Sequence, residues 1–392
     1  MIKFTGENKM STGVNTVKGV TSLGKNVGIK KSKKDFAVIC SSKLCNAAAV
    51  YTQNEVKGAP LYVNMEHLKN GKAQAIVVNS GISNVSTGKK GLKDAHEMAS
   101  LAAKELGIRK EDVLVASTGL IGAYLPMDKI RRGAKGIKKQ LSKQSKAAEA
   151  IMTTDLAKKE ISVKVGKATI GAIAKGAGMI HPNMATMLAF IATDAEFPSS
   201  KLRKMLKQSV NKSFNMLSVD QDTSTSDMAI LMANGLAGKV NEKQFQKALD
   251  YVCVYLAKLM AKDGEGASKL IISNVKNAKT EKDAKKVAKS IINSNLVKCA
   301  VFGNDPNWGR IMGAVGCAGV KINADGIDIY FGKMKIVAGG IATKFDKKKA
   351  TKILKKKEVE FTVNLNQGKH SATAYGCDLT YKYVKINAAY HT

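Results

Sequence analysis

The chain has 392 residues, 44% hydrophobic and 24% charged, which fits an ordinary globular protein of one large or two medium domains. Its start lacks the apolar core of a signal peptide, and no apolar run reaches the roughly 18 to 20 residues that span a bilayer, so a cytoplasmic protein with no membrane partner is expected. The formal charge of +33 comes almost wholly from lysine, with arginine only at Arg109, Arg131, Arg132, Arg203 and Arg310, and aromatics at 5%. Specific nucleic-acid readers need arginine forks or stacked aromatics, so runs such as Lys30-Lys31-Ser32-Lys33-Lys34 read as solvated surface rather than as a nucleic-acid site.

Apolar runs alternate with helical stretches from end to end, which gives a mixed α/β class. Residues 37–51 and 75–78 read as strands, 95–106 as a helix, and 112–117 as a strand ending in Thr118-Gly119. Residues 127–143, behind Pro126, read as a helix, and 163–174 and 186–192 as strands. Ser199-Ser200 would cap a basic helix running to about 212. Beyond it come a long helix at 242–262, a strand at 269–273, a helix at 281–293, a strand at 297–302 and a helix at 308–318. Further strands and one lysine-rich helix complete the chain, with no internal repeat.

The six cysteines (Cys40, Cys45, Cys253, Cys299, Cys317 and Cys377) form no Cys-x-x-Cys pair and sit mostly in apolar company, so buried free thiols are expected. The five histidines are scattered, and neither a metal site nor a resident cofactor is expected. Residues 24–32 do not fit a phosphate loop, and Gly176-Ala177-Gly178 lacks the third glycine of a dinucleotide loop.

The most informative stretch is 176–195, where a glycine turn and a proline loop deliver Thr186 to the start of an apolar strand. A threonine there can attack the carbonyl of Ala185, cut the chain and emerge as an N-terminal nucleophile. Its α-amine, with an ordinary pKa of about 8, is a far better base near neutrality than a lysine. Amine and hydroxyl share one residue, so their mutual orientation is nearly settled by covalent geometry. Such chemistry needs donors for a developing oxyanion, and Ser117-Thr118-Gly119 at a strand end is a candidate, although a Thr-Gly after a strand is by itself more often only a turn.

Ordered blocks along the chain now combine. They are Asn79-Ser80-Gly81 with Thr87-Gly88, Ser117 to Gly122, Met152-Thr153-Thr154-Asp155, Lys175 to Ile180 and His181 to Ala195. Asp222 to Thr225, Asp263 to Ala267, Gly303 to Arg310, and Ile386-Asn387-Ala388 with Tyr390 and Thr392 follow. On these blocks the chain resembles the glutamate N-acetyltransferase (ornithine acetyltransferase) family of arginine biosynthesis, from about residue 10 to the end. The resemblance implies a two-domain α/β/β/α-type sandwich of the ornithine acetyltransferase, N-terminal-nucleophile-like type. It implies cleavage between Ala185 and Thr186 into an alpha subunit, 1–185, and a beta subunit, 186–392, assembled as two of each. Thr186 would take the acetyl group of N-acetylornithine and pass it to glutamate by a ping-pong route, with Thr118 and Gly119 as the oxyanion hole. Thr154, Lys175, Thr186, Glu265, Asn387 and Thr392 would contact substrate, Lys175 suiting a carboxylate and Glu265 an ammonium. Acetyl-CoA as a second acetyl donor is left open, as is the role of Asn307-Trp308-Gly309-Arg310. Gln221, Ser226, Ala389 and His391 depart from the residues common in the family. Two rival readings are a self-cleaving amidase or aminopeptidase and a basic nucleic-acid-binding protein.

Overall fold

The computed structural model describes residues 2–4, 13–181 and 187–389, the first three by their backbone alone. Among the described residues two sheets form, of nine and seven strands. In the larger the order is Ile2–Phe4, Lys159–Val165, Ala168–Lys175, Leu188–Ala195, Met228–Gly238, Phe36–Tyr51, Lys72–Ile82 and Val113–Leu120, with Val20–Lys25 paired to Phe36–Tyr51. The pairs Leu188–Ala195 with Met228–Gly238 and Lys72–Ile82 with Val113–Leu120 are parallel.

Phe36–Tyr51 joins the two halves of this sheet, and its register with Lys72–Ile82 shifts between Cys40 and Cys45. The halves share one apolar layer. Ile39, Ile76 and Leu114 from one side pack with Phe190, Ile230 and Met232 from the other. Strand side chains alternate faces, so Ala189 and Ile191 point away from that layer, onto the helices Ser199–Lys212 and Glu242–Lys262. On the far side Val77, Val113 and Val115 meet Ala95, Met98 and Ala102 of the helix Gly88–Leu106. The layers therefore run helix, sheet, sheet, helix, as expected.

The second sheet runs Ile341–Ala342, Met334–Ala338, Asp328–Phe331, Glu358–Asn364, Leu270–Ala278, His370–Cys377 and Leu217–Ser218. One face carries the helices Glu281–Asn293, Asn295–Phe302, Trp308–Gly316 and Lys347–Leu354. The other joins the first body through Leu270, Ile272 and Tyr375, which pack in the same cluster as helix Glu242–Lys262.

Several local expectations are corrected. Residues 297–302 are helical, not a strand: Ser294 accepts from the Val297 amide at 3.3 Å, and Val297, Ala300 and Val301 fall on one buried helical face. Residues 163–174 are a hairpin that turns at Gly166, whose φ of +58° suits glycine. The helix behind Pro126 breaks at Gly136 (φ +68°) into Met127–Ala134 and Ile137–Gln140. Neither Ser199 nor Ser200 caps its helix; Pro198 stands at the cap and its carbonyl accepts from Lys201 and Leu202. Cys45, Cys253 and Cys377 are buried and Cys40 partly so, whereas Cys299 and Cys317 are exposed.

Candidate active site

The parallel register of Lys72–Ile82 with Val113–Leu120 sets Ser80 beside Thr118 and Gly81 beside Gly119 at the strand ends. Gly119 has φ +127°, and a β-carbon there would lie 2.3 Å from the backbone carbon of Gly81. Only glycine fits, for conformation and for space alike. Beyond these ends opens a cavity of about 430 Å³. Thr118, Gly119, Thr154, Lys175, Glu265 and Asn387 all line it, so six residues expected from far-apart blocks are brought together. Ala185, Thr186 and Thr392 lie outside the described residues. The next residue after Thr186, Met187, is buried, and its carbonyl accepts from the Met228 amide at 3.0 Å. Leu188 opens its strand directly opposite Lys175.

Lys175 is 8% exposed and its Nζ donates to Thr118 Oγ1 at 3.3 Å. Burial pulls the Lys175 pKa down, while Asp155, Asp227 and Glu265 oppose the shift. Elsewhere in the lining Asn387 Nδ2 donates to Glu265 Oε2 at 3.0 Å. The Glu265 amide donates to the Ala177 carbonyl at 2.8 Å. Gly178 leaves room for that carboxylate, since a β-carbon there would fall 2.4 Å from the Glu265 carboxyl carbon. The lining thus holds both a cation and an anion, a pattern that fits a zwitterionic amino acid.

Sequence reasoning missed the scaffold around these groups. Lys159 Nζ sits between Asp155 Oδ1 at 2.7 Å and Asp263 Oδ2 at 2.5 Å, all three buried or nearly so. Asp155 also accepts from the amides of Gly176 at 2.7 Å and Thr153 at 3.0 Å, and Asp263 from that of Leu156 at 3.1 Å. Three cavity-lining loops are therefore fixed to one buried ion triad. Burial opposes ionisation of Asp155, but Lys175, Lys159 and the Gly176 amide override it and hold its pKa well below the usual carboxylate range.

Asp220 clamps the segment that precedes the expected cleavage point, accepting from the amides of Met179 at 2.6 Å and Ile180 at 2.7 Å. Burial pushes its pKa up, against those hydrogen bonds. Lys30 is also corrected. It is not part of a solvated run: its Nζ donates to Ser80 Oγ at 2.6 Å and the Met152 carbonyl at 2.5 Å. Burial lowers its pKa to about 8, with Asp35 opposing. Asp155 and Asp263 stood inside recognised blocks, but a carboxylate in a loop carries no sign of a buried partner; Lys30 lay hidden in a lysine run.

The sequence pattern of the ArgJ family matches residues 21–392. The chain belongs to the ArgJ family. The arginine biosynthesis bifunctional protein ArgJ of Caldanaerobacter subterraneus subsp. tengcongensis is 51% identical, over 96% of this chain and 97% of that one. A crystal structure of the arginine biosynthesis bifunctional protein ArgJ from Bacillus halodurans is 44% identical with a TM-score of 0.51, covering 52% of this chain and all of that chain. The ornithine acetyltransferase of Mycobacterium tuberculosis, complexed with ornithine, is 34% identical with a TM-score of 0.44, covering 47% of this chain and all of that one. ArgJ membership extends over nearly the whole chain, as the ordered blocks implied.

Proposed function

We infer that the chain is an acetyltransferase of arginine biosynthesis that moves the acetyl group of N-acetylornithine to glutamate through an acetyl ester on Thr186. One observation carries this reading: Thr118, Gly119, Thr154, Lys175, Glu265 and Asn387 converge on a single cavity, beside the strand that opens two residues after Thr186. Attack of the Thr186 hydroxyl on the Ala185 carbonyl, followed by hydrolysis of the resulting ester, yields an alpha subunit of 1–185 and a beta subunit of 186–392. The freed α-amine then takes the hydroxyl proton as Oγ attacks the acetyl carbonyl, ornithine departs, and the amine of glutamate attacks the ester. Thr118 and the Gly119 amide face the developing oxyanion. Lys175 and Glu265 suit the carboxylate and ammonium of the amino-acid substrates, and Thr392 completes the contacts.

Support for the cut comes from proportion: residues 186–392 are slightly more than half of the chain, and the Bacillus halodurans chain, matched over its whole length, covers 52%. The assembly has two copies of each subunit and works in the cytoplasm on soluble amino acids, with acetyl-CoA as a second donor and no resident cofactor. No helix among the described residues is long and apolar enough to cross a membrane. Intact mass spectrometry tests the reading. Wild type should appear as two chains, the larger gaining one acetyl group from N-acetylornithine, and Thr186→Ala as one uncut, inactive chain. An uncut wild type with full acetyl transfer would falsify it, and hydrolysis without transfer to glutamate would favour the amidase instead.

A further inference from the structure

Gly81 and Gly119 stand beside each other with φ of +112° and +127°, and neither has a side chain that could stiffen the strand ends next to Thr118. Pairing is irregular there too, since Ile82 pairs with both Thr118 and Leu120. Ties must therefore come from neighbouring residues. Successive side chains of a strand point to opposite faces, so Asn79 and Ser80 can each anchor a different one. On the first face Ser117 Oγ donates to Asn79 Oδ1 at 2.6 Å, and Asn79 Nδ2 donates to the Ile82 carbonyl at 2.8 Å. On the second, the fully buried Ser80 donates its hydroxyl to the Ala150 carbonyl at 2.6 Å. Its Oγ is then left as an acceptor, and the donor it meets is Lys30.

Lys30 reaches this point from the loop 26–35, between the strands Val20–Lys25 and Phe36–Tyr51. Asp35, buried at the root of the loop, accepts from the amides of Val27 at 2.7 Å and Lys30 at 2.8 Å, and its carbonyl accepts from the Ser80 amide at 2.8 Å. Lys129 Nζ donates to the Gly28 carbonyl at 2.6 Å and holds the outer side. The loop lies so close over Gly81 that a β-carbon there would sit 3.0 Å from Ile29 Cγ2 and 3.4 Å from Lys30 Cγ.

An ammonium has three N–H donors, and this one meets three oxygens: Ser80 Oγ, the Met152 carbonyl and, at 3.2 Å, the Lys34 carbonyl. A neutral amine would leave one of them without its donor, and bonds from a charged donor are roughly twice as strong as neutral ones. Among the described residues Lys30 is not part of the catalytic cavity's lining, so it works through the residues it holds.

We propose that Lys30 is a positioning residue for acetyl transfer: its ammonium braces Ser80, and through it the Gly81 strand end, against Thr118 and Gly119, so that the oxyanion donors keep their aim. The inference rests on the acetyl-transfer reading above, in which Thr118 and Gly119 face the oxyanion. The lysine run around it is then two things at once, an exposed tip and one buried brace.

Lys30→Met keeps the side chain's length and removes its donors. In the whole protein, with rates counted per cleaved chain by mass spectrometry, kcat from N-acetylornithine to glutamate should fall about 10- to 100-fold, the effect of misplaced rather than missing catalytic groups. KM for N-acetylornithine should stay within about twofold, because loss of an interaction made only in the transition state lowers kcat alone. Ser80→Ala, a smaller change, should reproduce the loss, and Lys31→Met, on the exposed tip, should leave the rate unchanged. Added to Thr118→Ala, Lys30→Met should cost at most about threefold more, since the group it aims is already gone. Equal fold-losses in the two backgrounds would make Lys30 merely structural and overturn the proposal. Wild-type kcat in both Lys30→Met and Ser80→Ala would overturn it as well. So would a raised KM at unchanged kcat, which would assign Lys30 to the Thr153–Thr154 side of the cavity. Wild-type rates in Thr118→Ala would instead strike the oxyanion hole of the acetyl-transfer reading, a result distinct from each of these.

Discussion

An ammonium can only donate, so in the contact between Lys175 and Thr118 at 3.3 Å the threonine oxygen is the acceptor. Thr118 Oγ1 accepts from Lys175, and its own O–H is left to turn toward an oxyanion in the cavity. Thr118→Ala should lower kcat by about 100- to 1000-fold with the fold intact, and Thr118→Ser should recover most of the loss; equal rates in wild type and alanine variant would remove Thr118 from the oxyanion hole. Asp155 acts one step further out. Its folded-state pKa lies below the unfolded value near 4, so its stabilisation is complete above that value and is lost as pH falls below it. Urea titrations should find Asp155→Asn less stable at pH 7 by about 3 to 5 kcal/mol, because Lys159 loses a buried partner. The same titrations should show a flatter decline in the variant than in wild type from about pH 5 to 2. Two parallel pH profiles would show that Asp155 carries no such linkage. Thr118 and Gly119 could be placed at the cavity from sequence because a recognised block holds them, whereas Asp155 was legible only as a letter, since its partner Lys159 is identified by burial.

The helix Tyr381–Ala389 buries no residue, yet it carries Asn387 to Glu265. It is held at its root: Thr380 Oγ1 donates to the Gly266 carbonyl at 2.6 Å, and Gly266, at φ +70°, brings its backbone against Tyr383 and Lys382 so closely that a β-carbon would sit 2.5 Å from the Tyr383 amide nitrogen. Removing residues 381–392 should leave circular dichroism and Tm nearly unchanged, because so little apolar surface is lost. The KM for N-acetylornithine should rise at least about tenfold, each hydrogen bond to a charged group contributing roughly 1.5 to 3 kcal/mol. A truncated enzyme with wild-type KM would exclude Asn387 from substrate binding. Elements with a clear period and natural stops, such as Glu242–Lys262 and Glu281–Asn293, were readable from sequence to the residue. Residues 297–302 were not: six apolar-rich residues fit a strand or a helix equally, and the Ser294 cap decided between them.

At the scale of the molecule, a charge of +33 is self-repulsion spread over the surface, and exposed ion pairs such as Lys201–Glu242 do little against it. Raising salt from about 0.02 to 0.3 M shortens the screening length to below 10 Å, so Tm should rise in differential scanning fluorimetry. A falling Tm would mean that attractive ion pairs outweigh the lysine excess. Sequence alone determined the α/β class and the family, and it named the candidate site residues, because local period and ordered motifs are properties of neighbouring letters. Tertiary structure decided what those letters do together. Register at the ends of two parallel strands pairs Gly81 with Gly119, folding of the larger sheet sets Lys175 on Thr118, and burial separates Lys30 and Lys159 from dozens of lysines that look the same in one dimension. Contact between residues far apart in the chain depends on packing, and packing is not written in spacing.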